Sequence, residues 1–198
     1  MATSVTSTGI TFPDSTTQTT AASASAMSLI STQTVSSATS AVSWTGLSGY
    51  DKYFLIFESV VPVNSSQSLT MTLGYGAGPT YLSSGYKYAG AFNWNSNLSS
   101  MYTFNGGNVN LSNYYNLGST GSSESYSGYV YINSATYSGF WGYQCMSSFV
   151  DTSNSAQEGD IFTGQVANSG NALTAIKLIC GGGANIASGK FSLYGMSS

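Results

Sequence analysis

Ser68-Leu69-Thr70-Met71-Thr72-Leu73-Gly74-Tyr75 carries an apolar side chain at every second position, with Ser, Thr or Gly between. Successive side chains of an extended strand point to opposite faces, so this alternation predicts a half-buried β-strand. Upstream, Tyr53–Val61 is apolar at both parities, which predicts a strand covered on both sides. Further strands are expected at Tyr86–Phe92, Gly128–Ile132, Gly139–Val150, Ile161–Val166, Leu173–Cys180 and Lys190–Tyr194. Turn-rich gaps separate them at Val63–Gln67, Asp151–Gly159, Asn168–Asn171 and Gly181–Gly189. Strands at this spacing, with no helical period between them, predict an all-β fold. The expected architecture is an extended N-terminal segment, residues 1–40, followed by a jelly-roll-like antiparallel β-sandwich over residues 41–198.

Residues 1–40 differ from the remainder in composition. More than half are Ser or Thr, Asp14 is the one charged residue, and the apolar residues stand isolated. Ser and Thr hydroxyls compete with the helical backbone for its own hydrogen bonds, so a helix is not expected. The segment is expected to become extended β structure only when bundled with neighbours, with Phe12-Pro13-Asp14-Ser15 as a turn. Ile10, Phe12, Pro13 and Asp14 are its candidate assembly residues.

Charge is scarce throughout. Asp, Glu, Lys and Arg make up 6% of 198 residues, there is no histidine, and the net charge is −3; soluble domains average about a quarter charged. Lys52, Lys87, Lys177 and Lys190 are spread singly, which argues against a phosphate-binding surface and so against nucleic acid. Strand edges and exposed faces are normally kept apart by mixed charge. With so little of it, edges and faces are expected to be covered by other copies of the chain or by a larger assembly. The longest apolar stretch, Tyr53–Phe57, is too short to cross a bilayer, and Met1–Ile10 lacks the basic start and apolar run of a signal peptide. Cys145 and Cys180 fit no metal motif; they read as small buried hydrophobes or as a single bridge.

The same composition removes much catalytic chemistry. Triads built on histidine are impossible. Ser84-Gly85-Tyr86-Lys87 has Ser-x-x-Lys spacing but no helix to hold it, and Gly181-Gly182-Gly183 lacks the third glycine and the helix of a dinucleotide loop. Among the acids only Asp151, Glu158 and Asp160 lie close in sequence, in what reads as a solvated loop. No catalytic residue, metal ligand or cofactor is therefore expected. The richer region is Gly76–Ser127, where Tyr81, Tyr86, Tyr88, Trp94, Tyr102, Tyr114 and Tyr115 lie among Asn, Gly and Ser. Rigid aromatic rings beside adaptable polar side chains suit contact with a host-surface glycan or protein. The same rings would also serve as packing within or between subunits.

Two stretches carry a resemblance. Gly9-Ile10-Thr11-Phe12-Pro13-Asp14-Ser15-Thr16-Thr17-Gln18-Thr19 resembles the Phe-Pro-Asp-Gly-Thr-x-Gln segment that recurs in tailed-bacteriophage fibre proteins, with Ser15 in place of Gly. Ser188-Gly189-Lys190-Phe191-Ser192-Leu193-Tyr194-Gly195-Met196 resembles the closing strand of a compact β-sandwich domain of phage virion proteins, with Met196 in place of Ile. Val42–Leu47 followed by Tyr53–Phe57 is similar to that domain's opening. The resemblance implies a virion structural protein without enzymatic activity, commonly homotrimeric, that partners itself and other virion proteins. The expectation that follows is a tail fibre or spike component acting in host attachment. A head-decoration protein is the alternative, and a virion-associated polysaccharide-degrading enzyme a more distant one.

Overall fold

The computed structural model describes residues 4–6, 9–11, 13, 17–18, 27–94, 97–112, 125–133, 135–137, 139–150, 157–168 and 170–197. The described residues form no α-helix. In chain order the strands are β1 (Ser4–Thr6), β2 (Gly9–Thr11), β3 (Thr17–Gln18), β4 (Ser28–Val35), β5 (Val42–Thr45), β6 (Lys52–Pro62), β7 (Leu69–Tyr75) and β8 (Thr80–Tyr81). They continue with β9 (Tyr86–Trp94), β10 (Asn97–Gly106), β11 (Val109–Asn110), β12 (Tyr126–Asn133), β13 (Phe140–Val150), β14 (Gln157–Ala167), β15 (Ala175–Cys180) and β16 (Ile186–Met196).

Two antiparallel sheets pack face to face. The larger runs β10-β9-β14-β13-β12-β6-β16-β4, and the smaller runs β11-β7-β15-β5 with β8 attached to β7. Eight strands, taken in chain order, weave between them: β4, β6, β12 and β16 in one sheet, β5, β7, β11 and β15 in the other. Their spatial orders, β4-β16-β6-β12 and β5-β15-β7-β11, are those of a jelly roll. Two excursions widen it. The β9–β10 hairpin leaves between β7 and β11, the β13–β14 hairpin between β12 and β15, and together they double the width of one sheet.

The strand that suggested the fold is more deeply covered than its alternation implies. Leu69, Met71 and Leu73 point into the core, but Thr70 and Thr72 on the opposite face are also buried. β7 lies between β11 and β15, and Lys177, opposite Thr72, reaches over the Tyr81 ring. β6 departs the other way. Tyr53, Leu55 and Phe57 are fully buried, whereas Phe54 and Ile56 on the opposite face are only partly buried. The sandwich also begins earlier than residue 41. Ser28–Val35 pairs with β16, and Thr39 bridges Ile186. Inward-facing Ser31 accepts from Trp44 Nε1 at 2.8 Å, and Gln33 Nε2 donates to the Ser43 carbonyl at 2.9 Å. β1, β2 and β3 form a small sheet of their own.

Aromatic residues hold the layers together. Phe57 and Tyr126 stack at 4.9 Å, and Tyr126 also meets Phe149 at 5.4 Å. The Tyr126 hydroxyl donates to the carbonyl of Leu111, the residue just past β11. From β9, the Tyr86 hydroxyl crosses the sandwich and accepts from Leu73 N–H of β7 at 2.8 Å. Burial pushes the phenols of Tyr53 and Tyr86 up to about 12.

Candidate functional site: the outer face of the large sheet

Strand register places two rows of side chains across the outward face of the large sheet. One row runs Ile56, Tyr129, Met146, Ile161 and Ala91 across β6, β12, β13, β14 and β9. The next runs Tyr194, Phe54, Tyr131, Gln144, Thr163 and Ala89, starting on β16. Neither row contains a charged residue. Met146 is 51% exposed and Ile161 58%, while their inward neighbours Cys145 and Phe162 are buried. The Phe54 and Tyr129 rings lie 5.1 Å apart, tilted by 36°, and the Tyr129 hydroxyl reaches Met146 Sδ at 3.6 Å.

Small residues shape one end of this face. Ala89, Gly90 and Ala91 leave a groove of about 450 Å³ walled by Tyr129, Met146 and Ile161. Gly90 permits the close approach of β9 to β14, since a Cβ there would sit 2.1 Å from the Ile161 carbonyl oxygen. Charge appears only beyond the rows: Lys190 pairs with Glu58 at 3.0 Å on one side, and Lys87, on the face beside Gln165, bounds the other. At about 4.8 Å per strand the rows cover roughly 24 Å from β16 to β9, an uncharged area on the order of 300 Å². An apolar patch of that size is about the largest that a typical monomer exposes, and such patches are often functional. The side chains offer ring faces, thioether, amide and hydroxyl groups, so the face can bind by excluding water and by neutral hydrogen bonds.

The residues singled out in the sequence are placed differently. Tyr86 and Tyr88 are buried between the sheets, where Tyr88 meets the Phe162 ring at 5.1 Å; they are packing residues and make no outward contact. Tyr81 is half-buried on β8, with Lys177 Nζ 4.0 Å from its ring centroid and its phenol pKa raised by burial. Trp94 and Tyr102 lie on β9 and β10, their backbones opposite Asn97 and Ala89. Tyr114 and Tyr115 lie outside the described residues, as do Phe12 and Asp14; Ile10 pairs with Val5 in β2, and Pro13 is exposed at a turn. Gly76–Ser127 holds the expected strand at Tyr86–Phe92 as β9, and β8, β10 and β11 besides.

The acids do not assemble a catalytic pair among the described residues. Asp160 belongs to β14, buried and opposite Ser147 near Cys145 and Tyr126, where a solvated loop was expected; Glu158 lies on the same strand opposite Phe149. Asp151 lies outside the described residues. Cys145 and Cys180 are both free and buried, which excludes the bridge. Burial, then the nearby Asp160, pushes the Cys145 thiol well up, and burial raises Cys180 to about 11. Neither thiol is a nucleophile at neutral pH.

Fold and face together define the chain as a jelly-roll β-sandwich with an uncharged, partly aromatic outer sheet face. Comparison with protein-family models, with curated proteins and with solved structures finds no match.

Proposed function

We propose that this chain is a non-enzymatic structural protein of a tailed-bacteriophage virion, a homotrimeric tail fibre or spike component that takes part in host attachment. The supporting observation is the pair of uncharged rows across the large sheet, centred on Tyr129, Met146 and Ile161. A face of this extent is often functional even on a single domain, and an assembly built of neutral contacts would cover it. The fibre-like segment around Phe12-Pro13-Asp14 supports the choice of assembly. In that setting the N-terminal residues join the particle, neighbouring copies cover much of the outer face, and the remaining rings and hydroxyls meet the host surface.

Immunogold labelling of intact particles with an antibody to this chain tests the proposal. Gold at the tail, together with adsorption reduced by Met146→Lys, is the expected result. Label in hundreds of copies over the head would replace attachment with capsid decoration, and particles without label would refute a virion role altogether.

A further inference from the structure

Strand β10 ends the large sheet. Its residues Asn97 to Thr103 pair in unbroken register with Trp94 to Tyr88 of β9, and the register shifts only between Thr103 and Gly106. On its other side β10 pairs with no strand among the described residues. An edge of this kind presents a row of backbone N–H and C=O groups to any passing strand. Folded proteins blunt such edges with Lys, Pro, a bulge or inward charge. Asn97-Leu98-Ser99-Ser100-Met101-Tyr102-Thr103 has no charge and no proline, and the irregularity comes only after it. Leu98, opposite Asn93, is 79% exposed.

We infer that β10 is a self-recognition edge: the β10 of a second copy pairs with it antiparallel about a two-fold axis, joining two large sheets into one. The straight run Asn97–Thr103 has Ser100 at its midpoint. A two-fold through that point sets Ser100 opposite its own counterpart, Leu98 opposite Tyr102, and Asn97 opposite Thr103. Both strands are uncharged, so no like charges meet across the pair. Ser100 is also opposite Ala91, so it extends the first row of the outer face. The pairing therefore runs Ile161, Ala91 and Ser100 of one copy directly into Ser100, Ala91 and Ile161 of the other. Two grooves and two aromatic patches become one continuous uncharged strip.

A second copy is the fitting occupant because the contact is self-complementary and closes on itself, as two-fold interfaces do. The opposite edge, β4, is less regular, since its register with β16 slips between Leu193 and Tyr194. Pairing of β10 with β4 of a neighbour would also repeat without closing and give filaments. The inference needs only the edge, and it stands or falls separately from the virion role; beside a homotrimer, the two-fold pair joins copies that belong to two different trimers.

The test uses the full chain carrying Ser100→Cys, with Thr34→Cys on β4 as comparator; Cys145 and Cys180 are buried. Residues opposite each other in an antiparallel pair have Cα atoms about 4.5–5.5 Å apart, within reach of a disulfide. Under mild oxidation, Ser100→Cys should give a covalent pair on a non-reducing gel at least about tenfold faster than Thr34→Cys, tenfold corresponding to about 1.4 kcal/mol. Ser100→Lys, which sets two ammonium groups opposite each other, should abolish cross-linking of Leu98→Cys to Tyr102→Cys while leaving the melting temperature unchanged. Equal rates at Ser100 and Thr34, or β10 pairing that survives Ser100→Lys, would overturn the inference.

Discussion

Ile161 and Phe162 are consecutive on β14, and the structure assigns them opposite fates. Phe162 is 3% exposed, packed against the Tyr88 ring at 5.1 Å and opposite Cys145. Ile161 is 58% exposed, on the outer row between Met146 and Ala91. Truncating a buried phenylalanine removes its transfer free energy and leaves a cavity, so Phe162→Ala should cost about 3–5 kcal/mol. For a domain of this size that is a fall in melting temperature of roughly 6–20 °C. Ile161→Lys removes no core contact and should change the stability of the chain by no more than about 0.5 kcal/mol. It does place a charge in the middle of the uncharged strip, so it should abolish association through the outer face, leaving β10 pairing intact, where Phe162→Ala spares both in whatever fraction stays folded. Urea unfolding followed by fluorescence of buried Trp44 and Trp141 measures the first effect, and light scattering on the same samples measures the second. If Ile161→Lys destabilises as much as Phe162→Ala, Ile161 belongs to the core and the outer face is no contact surface.

Other outcomes follow from single contacts. Tyr126→Phe deletes the hydroxyl that donates to the Leu111 carbonyl and should lower stability by about 1–2 kcal/mol in urea unfolding, because a buried acceptor loses one of its partners. Gly195→Ala would bring a Cβ to within 2.3 Å of the Tyr50 ring, and displacing that ring should cost about 1–3 kcal/mol. Breaking the exposed Lys190–Glu58 pair with Glu58→Gln should cost less than about 1 kcal/mol. The phenols of Tyr53 and Tyr86 ionise near 12 in the folded chain against about 10 when unfolded. Their contribution to stability is therefore complete below pH 10 and lost as the pH rises toward 12, so the urea midpoint should fall through that window, after an earlier decline that sets in near pH 9 as the two buried thiols, also raised by burial, begin to favour the unfolded chain. A thiol reagent at pH 8 should leave Cys145 and Cys180 unmodified until urea exposes them, because both pKa values are raised by burial.

How much of this was legible depended on which face of each strand carried the signal. Strands of the central sandwich announce themselves because their inward residues are apolar, as in Leu69-Thr70-Met71-Thr72-Leu73 and in Gly139–Val150. β4 was hidden within a Ser/Thr-rich stretch, because at the sheet edge its inward positions, Ser31 and Gln33, are satisfied by hydrogen bonds instead of packing. β10 was missed for a related reason: Leu98, Met101, Tyr102 and Phe104 fall among Ser, Thr and Asn at both parities, so the edge strand shows no clean period of two. β14 begins earlier than its apolar run because Asp160 is turned inward, and a buried acid breaks the pattern that marks a core face. The tyrosines at 86 and 88 looked available because the expected strand Tyr86–Phe92 alternates too weakly to show which of its faces turns inward. The outer rows were out of reach of any local pattern. Tyr194, Phe54, Tyr131, Gln144, Thr163 and Ala89 come from six strands, and only register brings them into line. What the sequence did disclose was the shortage of charge, which anticipates a surface meant for contact.

The most direct test of that surface is the mass of the purified full chain in solution, measured by light scattering at micromolar concentration. Copies that shelter one another's uncharged faces give a defined multiple of 20.6 kDa, reduced by Ile161→Lys. A stable, soluble species of 20.6 kDa whose mass is indifferent to Ile161→Lys would contradict the proposal that the outer face is built for contact.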